Sequence, residues 1–441
     1  MPHQSVTSPE PAAPSRLPAT PRGLLLTIGS YQGTLAAARE MGRLGMPVVL
    51  ADSSPDCLTA ASRYITRRVD CPALDAPMVF LKWLVEFGRA EPGYVLYPTS
   101  DDLIWLMDTH RDLLARYFFL YQPAQGALHA ILNKRRLYES CRAFGVDRPK
   151  FWVLADGEGS QFASLDDIRF PVLVKPPTQA LLKVNVKGVV AENAAQLASA
   201  LDVFDRRFRY HDELIKADPE AQVMLLQRYY ASAAMRIYSI SGFYCPEAGV
   251  YLLRGAQKIL QVPFRIGVGL CFESRPVHAE LAQQLRQLLD GMQYKGIFEA
   301  EFIRRDGQEH YMLIDLNTRF YGQMGFEIAR GLPMTQLMVA AASGDLDQVR
   351  VLAAQAQQWD HTAEWKCRAQ WMLRLYMFTL WLGRSLRWSE RRRWLRWSTT
   401  GQTFDPIAAP DDPGPAQAHR RYLLGRLLKH PRSTLKNLLR A

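Results

Sequence analysis

The sequence predicts a mixed α/β protein of more than one domain. A parallel α/β unit comes first, an α+β region follows, and a basic helical segment lies at the C-terminal end. The chain has 441 residues, its early part alternates predicted strands and helices, and residues 295–319 have the alternation of a β-hairpin. A hydrophobic content of 48%, with 11% aromatic residues, is enough for a sizeable buried core.

The first 22 residues are expected to form a disordered tail. They are rich in Pro, Ser and Ala and contain no apolar run, unlike a signal peptide. The six cysteines are scattered and none belongs to a Cys-x-x-Cys pair, so neither a disulfide framework nor a zinc site is expected. This cysteine usage fits a reducing compartment, and we expect a cytoplasmic location.

The next part of the chain has the pattern of a small parallel α/β domain. Residues 23–29 are predicted to form a buried strand, residues 31–44 a helix, and residues 47–51 a second strand that ends at Asp52. This pattern is typical of a dinucleotide site, but the full Gly-x-Gly-x-x-Gly motif is absent. A dinucleotide-dependent oxidoreductase is therefore a less favoured alternative.

A further predicted strand, residues 94–98, is followed by Thr99, Ser100, Asp101 and Asp102. Ligands of open α/β sheets bind beyond the carboxyl ends of the strands, so this loop could face a substrate. Ser100 or Asp101 is also well placed to cap a helix that starts before the apolar residues 103–107. The sequence leaves both interpretations open.

Residues 295–319 predict two strands joined by a turn at residues 305–308, which contains Asp-Gly. Successive side chains of a strand alternate between its two faces. On the first strand one face therefore carries apolar side chains and the other carries carboxylates, respectively Phe298, Ala300 and Phe302, and Glu299 and Glu301.

The second strand of this hairpin also has two distinct faces. The alternation predicts Met312, Ile314 and Leu316 on one face, and Tyr311, Leu313, Asp315 and Asn317 on the other. If the polar faces of the two strands coincide, their carboxylates converge with Asn317, and Arg319 follows just beyond. Such hard oxygen ligands suit Mg²⁺ that is shared with nucleotide phosphates. A solvated sheet face is the alternative.

The order of these residues resembles the metal-binding end of the ATP-grasp family. There a strand ending in Glu-Phe precedes a strand with the pattern acid-x-Asn-x-Arg, which this chain matches with Glu301 and its following Phe, and with residues 315–319. Asp315 stands where most relatives carry Glu. The resemblance implies that Glu301, Asp315 and Asn317 hold Mg²⁺ and that Arg319 stabilises a phosphorylated intermediate.

The same resemblance implies which residues bind ATP. Lysines of successive elements would contact the phosphates, and two residues after a later strand would lie near adenine; they are Lys134, Lys175, Lys187 and Lys258, and Gln227 and Tyr229. Arg265 is the reserve for Lys258, and Glu299 is a further candidate on the carboxylate face. Lys134 is expected to open a helix that ends near Gly145.

Two departures from the family pattern concern ATP binding. Many relatives have a glycine-rich loop after the strand of Lys175, whereas this chain has Thr-Gln-Ala-Leu-Leu at residues 178–182, which cradles phosphate less freely. Lys183 and Lys187 could supply charge there instead. In addition, Arg228 stands where relatives carry an acid beside adenine.

The resemblance also implies a domain organisation and an activity. Residues 23–125 would form the domain that precedes the ATP-binding part, residues 126–345 a two-lobed ATP-grasp domain with its lid at about 151–228, and residues 346–441 a basic, Trp-rich helical region. The implied reaction joins a small-molecule carboxylate to an amine through an acyl phosphate, with ATP and Mg²⁺, as in the carboligase branch that includes D-aspartate ligases. A catalytically silent ATP-grasp module that only binds nucleotide is an alternative.

Residues 361–441 carry the positive charge of the protein. They contain 16 Lys and Arg against five acids, and this difference of +11 equals the formal net charge of the whole chain. Residues 371–382 are apolar but shorter than the about 20 residues that span a bilayer. Arg and Trp are interleaved beyond them, and residues 411–415 are interpreted as a Pro-rich linker before a second basic run.

Trp and Arg on an amphipathic helix suit peripheral contact with an anionic membrane, here the inner membrane face. Helices packed on the enzyme body or on a protein partner are the alternative. Nucleic acid is disfavoured because no recognition motif accompanies the charge.

Overall fold

The computed structural model describes residues 17–153, 168–184, 188–207, 209–230, 237–262, 268–304, 310–360, 363–382 and 387–429. Lys187, Arg265, the predicted turn at residues 305–308 and most of the predicted N-terminal tail lie outside these ranges. The described strands form three sheets, of five, four and seven strands.

The N-terminal sheet is parallel, which confirms the predicted α/β unit. Its strands are β1 (Gly23–Thr27), β2 (Val48–Asp52), β3 (Arg67–Asp70), β4 (Tyr94–Leu96) and β5 (Phe118–Phe119), in the order β3-β2-β1-β4-β5. The helices between them are α1 (Gln32–Arg43), α2 (Pro77–Ala90), α3 (Asp101–Thr109) and α4 (Arg111–Leu114). Strand β1 lies in the middle of the sheet, where its leucines are completely buried.

The second sheet has four antiparallel strands. They are β6 (Phe151–Val153), β7 (Val172–Lys175), β8 (Val189–Ala191) and β9 (Leu225–Arg228), in the order β6-β9-β7-β8. Helices α5 (Ala127–Leu132) and α6 (Lys134–Ala143) precede this sheet, and α7 (Ala194–Arg207) and α8 (Asp212–Ala217) follow β8. The Asn133 side chain caps α6, and Gly145 beyond its end has a φ of 71°, so this helix is placed as predicted.

The third sheet forms the centre of the molecule. Its strands are β10 (Ile237–Cys245), β11 (Val250–Val262), β12 (Val268–Arg275), β13 (Gly296–Arg304), β14 (Tyr311–Asn317), β15 (Trp365–Arg368) and β16 (Gln402–Phe404). They follow the order β14-β13-β10-β11-β12-β15-β16, and every neighbouring pair is antiparallel except β15 with β16.

Apolar packing covers both faces of the central sheet. Helices α9 (Ala279–Gly291) and α6 pack with Phe298 and Phe302, whereas α11 (Met334–Ala342) and α12 (Leu346–Gln357) pack with Phe243 and Ile297. Because adjacent residues of a strand alternate between faces, these two clusters lie on opposite sides. Helix α10 (Met324–Ala329) follows β14 and joins the second cluster.

The basic C-terminal region contains three further helices, α13 (Gln370–Leu382), α14 (Trp388–Trp397) and α15 (Gly414–Lys429). It also supplies β15 and β16, which the sequence analysis did not predict. These strands have only four and three residues, and the apolar–polar alternation of β15 is too short to predict a strand. Strand β15 pairs with the distant β12, and β16 pairs with β15, so neither pairing leaves a local signal.

The interpretation of residues 411–415 as a linker is wrong. Asp412 is 1% exposed, and its carboxylate accepts hydrogen bonds from Arg39 Nε at 2.9 Å and from Ser62 Oγ at 2.8 Å. Gly414 lies so close to the Ala61 carbonyl that a Cβ has no room there. This turn is an anchor that fastens the C-terminal region to the N-terminal sheet domain.

No helix of the described ranges combines the length and the apolar character needed to cross a bilayer. All six cysteines lie in described residues and are free thiols.

Candidate active site

Glu301 and Asp315, two of the three carboxylates on the strands of the predicted hairpin, lie side by side at the edge of the central sheet. Glu301 on β13 pairs with Asp315 on β14, and Glu299 pairs with Asn317. Residues directly opposite in an antiparallel pair share a face, so the polar faces of the two strands coincide. The Asp315 side chain is 32% exposed and that of Glu301 is 15% exposed, so both remain within reach of a ligand.

A β-bulge changes which face of the sheet the apolar residues of β14 lie on. The register shifts after Glu301, so that Leu313 pairs with Phe302 and is buried in the same cluster as Leu316. The prediction that Leu313 shares a face with Asp315 is therefore wrong. The prediction that Met312 and Ile314 share a face with Leu316 is also wrong, since these two residues pack around Ile237. One extra residue reverses the alternation without displacing Asp315 from Glu301.

Lys258 of β11 forms an ion pair with Glu301, with 2.5 Å between Nζ and Oε1. Burial lowers the pKa of the lysine, but Glu301, with smaller contributions from Glu299 and Asp315, outweighs burial, so the pKa lies above its ordinary value. The Lys258 side chain is 10% exposed and stays protonated beside its partner.

Lys134 reaches the second carboxylate from the first turn of α6, where its ammonium contacts Asp315 Oδ1. Burial raises the pKa of Asp315, but Lys134 and then Lys175 outweigh burial, so the pKa lies below its ordinary range.

Lys175 ends β7, as predicted, and its ammonium points toward polar groups rather than into apolar packing. It donates to Gln227 Oε1 at 2.6 Å and lies 3.4 Å from the Tyr138 hydroxyl. Burial, followed by the nearby charge of Lys134, lowers the pKa of Lys175 to about 7. Gln227 is 6% exposed and serves here as the partner of Lys175.

Arg319 lies between the hairpin and the N-terminal sheet domain. Its Nε donates to Asp101 Oδ1 at 2.6 Å and its Nη2 to Asn317 Oδ1 at 3.2 Å. Burial lowers the pKa of the guanidinium, yet Asp101 outweighs it and holds that pKa above the ordinary value. In the same loop, Ser100 Oγ accepts from Leu103 N and caps α3. The cap interpretation is therefore confirmed, and the same loop contacts the hairpin through Asp101, whereas contact of this loop with a substrate stays a prediction.

Glu299 differs from the other two carboxylates because it is 6% exposed. Asn317 Nδ2 donates to its Oε2 at 3.0 Å. Burial, followed by the charge of Glu301, raises the pKa of Glu299 above its ordinary range. The protonated form of this side chain is thereby favoured near neutral pH, and Glu299 lies beneath the more accessible pair.

Of the two residues predicted to lie near adenine, Gln227 belongs to β9 and Tyr229 directly follows this strand. Tyr229 N donates to Pro171 O at 3.0 Å, directly after β9. The neighbouring Arg228 sends its Nη1 to Phe170 O at 2.9 Å, so the guanidinium that replaces the family's acid binds a backbone carbonyl. Lys187 and Arg265 lie outside the described residues.

The loop at residues 178–182 is packed against the N-terminal domain. Leu181 N donates to Asp102 Oδ1 at 2.6 Å, and Ala180 N donates to Thr178 Oγ1 at 3.1 Å. Ala180 and Leu181 are buried in the core of the N-terminal domain. These two amides already have acceptors, so they are not available to cradle a phosphate as glycine-loop amides would be.

In the N-terminal strand–helix–strand unit, the residues that resemble a dinucleotide site contact other parts of the protein. Gly29 N donates to Asp52 Oδ2 at 2.5 Å. A Cβ on Gly33 would lie 2.6 Å from the Tyr321 carbonyl oxygen, so this glycine permits close packing of α1 on the segment after Arg319. The acid and the glycine thus both have structural partners.

Sequence analysis missed a buried polar group behind the carboxylates. Gln323 Nε2 donates to Ser239 Oγ at 2.9 Å, and Ser239 is paired with Glu301 across β10 and β13. Gln323 is 3% exposed, and its Oε1 has no partner within the described part of the chain.

The donor set suits Mg²⁺. Among the described residues no group of three or more His, Cys, Asp and Glu side chains is close enough to hold one ion. Mg²⁺ is usually bound through one or two carboxylates, with phosphates and waters completing its shell. The paired Glu301 and Asp315, with Asn317 beside them, match that requirement.

Comparisons with known proteins show what the whole chain is similar to. No protein-family model matches the chain. The curated D-aspartate ligase of Enterococcus faecium (strain Aus0004) is 21% identical over 328 residues, which cover 71% of this chain and 75% of that protein. The solved L-amino acid ligase of Bacillus licheniformis is 13% identical, with a TM-score of 0.53 over 75% of this chain and 77% of the ligase chain.

A third similar protein was solved with nucleotide and metal. The biotin carboxylase domain of the Hydrogenobacter thermophilus 2-oxoglutarate carboxylase, in complex with MgADP, ADP and bicarbonate, is 14% identical, with a TM-score of 0.55 over 73% of this chain and 70% of that domain. At such identities the solved structures establish the fold. The chain has the fold of the ATP-grasp enzymes, and the predicted resemblance to their carboxylate–amine ligases is confirmed.

Proposed function

We propose that this protein is an ATP-dependent ligase that joins a carboxylate to an amine. The observation that carries the proposal is the convergence of cations on one carboxylate pair. Lys258 contacts Glu301, Lys134 contacts Asp315, and Arg319 contacts the adjacent Asn317. A site with accessible carboxylates among lysines can exchange each internal ion pair for a metal–phosphate contact.

In the proposed complex the ammonium groups of Lys134, Lys175 and Lys258 turn to the phosphates of ATP, and Lys187 is a further proposed phosphate ligand. Glu301, Asp315 and Asn317 would hold Mg²⁺, which would neutralise phosphate charge when bound. Gln227 and Tyr229 then lie at the adenine side. In this complex, side-chain cations rather than backbone amides bind the phosphates, because the amides of Ala180 and Leu181 already donate to other acceptors.

The proposed reaction has two steps. An oxygen of the substrate carboxylate attacks the γ-phosphorus, the bond to ADP breaks, and an acyl phosphate forms. The amine nitrogen then attacks the acyl carbon, loses a proton, and inorganic phosphate leaves. We propose that Arg319 stabilises the negative charge of the acyl phosphate, since Asp101 fixes its guanidinium beside Asn317.

The similar proteins support a carboxylate–amine reaction. D-aspartate ligase and L-amino acid ligase are named for amino acid substrates, so amino acids are the first candidates for either substrate here. The dinucleotide-dependent oxidoreductase is disfavoured because Asp52 and Gly33 are engaged within the protein. A silent nucleotide-binding module would show the same nucleotide contacts but no turnover.

The experiment that tests the proposal is an ADP-release screen of the purified protein with Mg·ATP. Amino acids and other carboxylic acids are supplied in pairs, and a coupled product is sought by mass spectrometry. We expect ADP release that requires both members of at least one pair. Nucleotide binding without turnover across the whole screen would favour the silent module.

For an active pair, we expect Asp315→Asn to lower turnover by about 100-fold or more, because a neutral amide binds Mg²⁺ weakly and leaves Lys134 without its counter-charge. The matched control is Asp347→Asn on α12, where the carboxylate is 94% exposed and distant from the hairpin. Circular dichroism and the unfolding midpoint check that both variants fold. Wild-type turnover in the Asp315 variant would remove this residue from the mechanism.

A further inference from the structure

The solvent-exposed face of α13 consists of aromatic residues and one arginine. Trp371, Arg374, Phe378 and Trp381 follow the helical spacing i, i+3, i+7 and i+10, and the three aromatic side chains are 36%, 42% and 39% exposed. The opposite face is buried, where Leu373 and its neighbours pack against Leu260 and Cys271 of the central sheet. A helix on the surface of a soluble domain ordinarily turns polar residues to water.

Helix α14 extends this aromatic surface. Trp388 is 50% exposed, and its ring lies 6.0 Å from the ring of Trp381. The guanidinium of Arg391 lies 5.1 Å from the ring of Trp381, 4.8 Å from that of Trp388 and 5.8 Å from that of Phe378. Phe378, Trp381 and Trp388 therefore form one patch, with the Arg391 cation at its centre.

The charge around this patch has one sign. Residues 370–397 contain seven arginines and a single acid, Glu390. Arg392 and Arg393 are exposed on α14, directly after Arg391 in the sequence. Such a surface combines apolar area for burial with guanidinium groups that bind phosphate.

We propose that this aromatic–arginine face, defined by Trp371, Arg374, Phe378, Trp381, Trp388 and Arg391–Arg393, docks the protein on an anionic membrane surface. Tryptophan and phenylalanine insert at the headgroup level, and arginines pair with lipid phosphates. Charge complementarity selects this occupant. A second copy of the chain would bring the same arginines face to face, and like charges repel.

The proposal does not depend on the ligase activity. It adds that the protein works at a membrane surface. Helices α13 and α14 rest on the sheet strands β11 and β12, and β11 carries Lys258. A protein held by this face would therefore present its nucleotide site from a fixed position relative to the lipid surface.

The test measures binding of the full-length protein to phosphatidylcholine vesicles with and without phosphatidylglycerol, by co-sedimentation. We expect binding that requires the anionic lipid and weakens with salt. Replacing both Arg392 and Arg393 by Gln should weaken binding by about 30-fold, the combined effect of about 1 kcal/mol for each charge. Replacing Trp381 and Trp388 by Ser should weaken it independently of charge.

The matched control replaces Lys82 and Arg89 by Gln, two exposed cations of α2, and should leave vesicle binding within about twofold of wild type. Vesicle binding is compared only among variants whose unfolding midpoint equals that of the wild-type protein. The proposal is overturned if wild type ignores anionic vesicles, if the α2 variant loses as much binding as the α14 variant, or if the face instead mediates dimerisation or nucleic-acid binding that the same substitutions abolish.

Discussion

Burial and the neighbouring charge of Lys134 lower the pKa of Lys175 to about 7, whereas a lysine in water stays protonated to about pH 10. At about pH 8 the Lys175 side chain of the nucleotide-free protein is therefore mostly neutral. An anionic triphosphate next to it would favour the charged form. If ATP binds as proposed, Lys175 must take up a proton whenever binding occurs above this pKa.

We expect nucleotide binding at about pH 8 to take up about one proton more in the native protein than in Lys175→Arg, because arginine is always protonated. At about pH 6 the difference should vanish, since Lys175 then already carries its proton. Isothermal titration calorimetry in buffers of different ionisation heat measures this uptake. Equal uptake by the two proteins at the higher pH would place Lys175 away from the phosphates.

Single residues of the site were predictable to different degrees. The order of Glu301, Asp315 and Asn317 along the hairpin is a local signal, and the alternation of strands places them on one face. Gln323 could not be found in the same way. Its contact with Ser239 joins residues 84 positions apart, and both residue types are more often exposed than buried, so the sequence does not indicate this contact.

At the scale of single elements, β14 illustrates what periodicity cannot show. Strand alternation predicts the face of Asp315 correctly but fails for Leu313, because the bulge after Glu301 inserts one residue. A bulge depends on the pairing of two strands and leaves no periodic mark in either one. The cap of α3, by contrast, is a local interaction; the sequence offered Ser100 or Asp101 for it, and the structure has Ser100.

The turn at residues 411–412 attaches to α1 by two ion pairs of different burial. The pair of Arg39 with Asp412 is buried, with exposures of 5% and 1%, whereas that of Arg43 with Asp411 is 43% and 41% exposed. We expect Asp412→Asn to lower the free energy of unfolding by about 3 kcal/mol, because it leaves a buried guanidinium without its counter-charge. Urea unfolding measures the change.

The exposed pair supplies the control for this experiment. Asp411→Asn should lower the free energy of unfolding by at most about 1 kcal/mol, since water screens an exposed pair. Equal losses in both variants would mean that burial does not distinguish the two pairs.

Across the whole molecule, the central sheet joins strands from residue 237 to residue 404. The parallel N-terminal domain and the hairpin were predictable because their signals lie within short segments. The addition of β15 and β16 to the sheet edge was not, since each strand is short and its partner lies far away in the sequence.

This architecture predicts the outcome of a truncation after residue 360. Removing β15, α13 and the anchor at Asp412 uncovers the edge of β12, the apolar side of Leu260 and Cys271, and the buried Arg39. We expect a loss of several kcal/mol from a total stability of about 5–15 kcal/mol, with aggregation. Gel filtration and the unfolding midpoint measure it.

The control is a truncation after residue 429, which keeps every element from β15 to α15 and should remain monodisperse. If the shorter protein is as stable as this control, the C-terminal region is an appendage rather than part of the core. Point substitutions are for this reason the sharper way to probe the aromatic–arginine face.

The bond between Arg39 and Asp412 spans 373 positions of the sequence. On the ribosome, the first domain emerges long before Asp412 has been translated, and domains tend to fold in the order of their synthesis. The Arg39 guanidinium of helix α1 must therefore stay hydrated until Asp412 has also been translated. A chain released before Asp412 has been translated cannot form this bond. We therefore expect proteases to cleave such a shortened chain faster than a chain that contains Asp412.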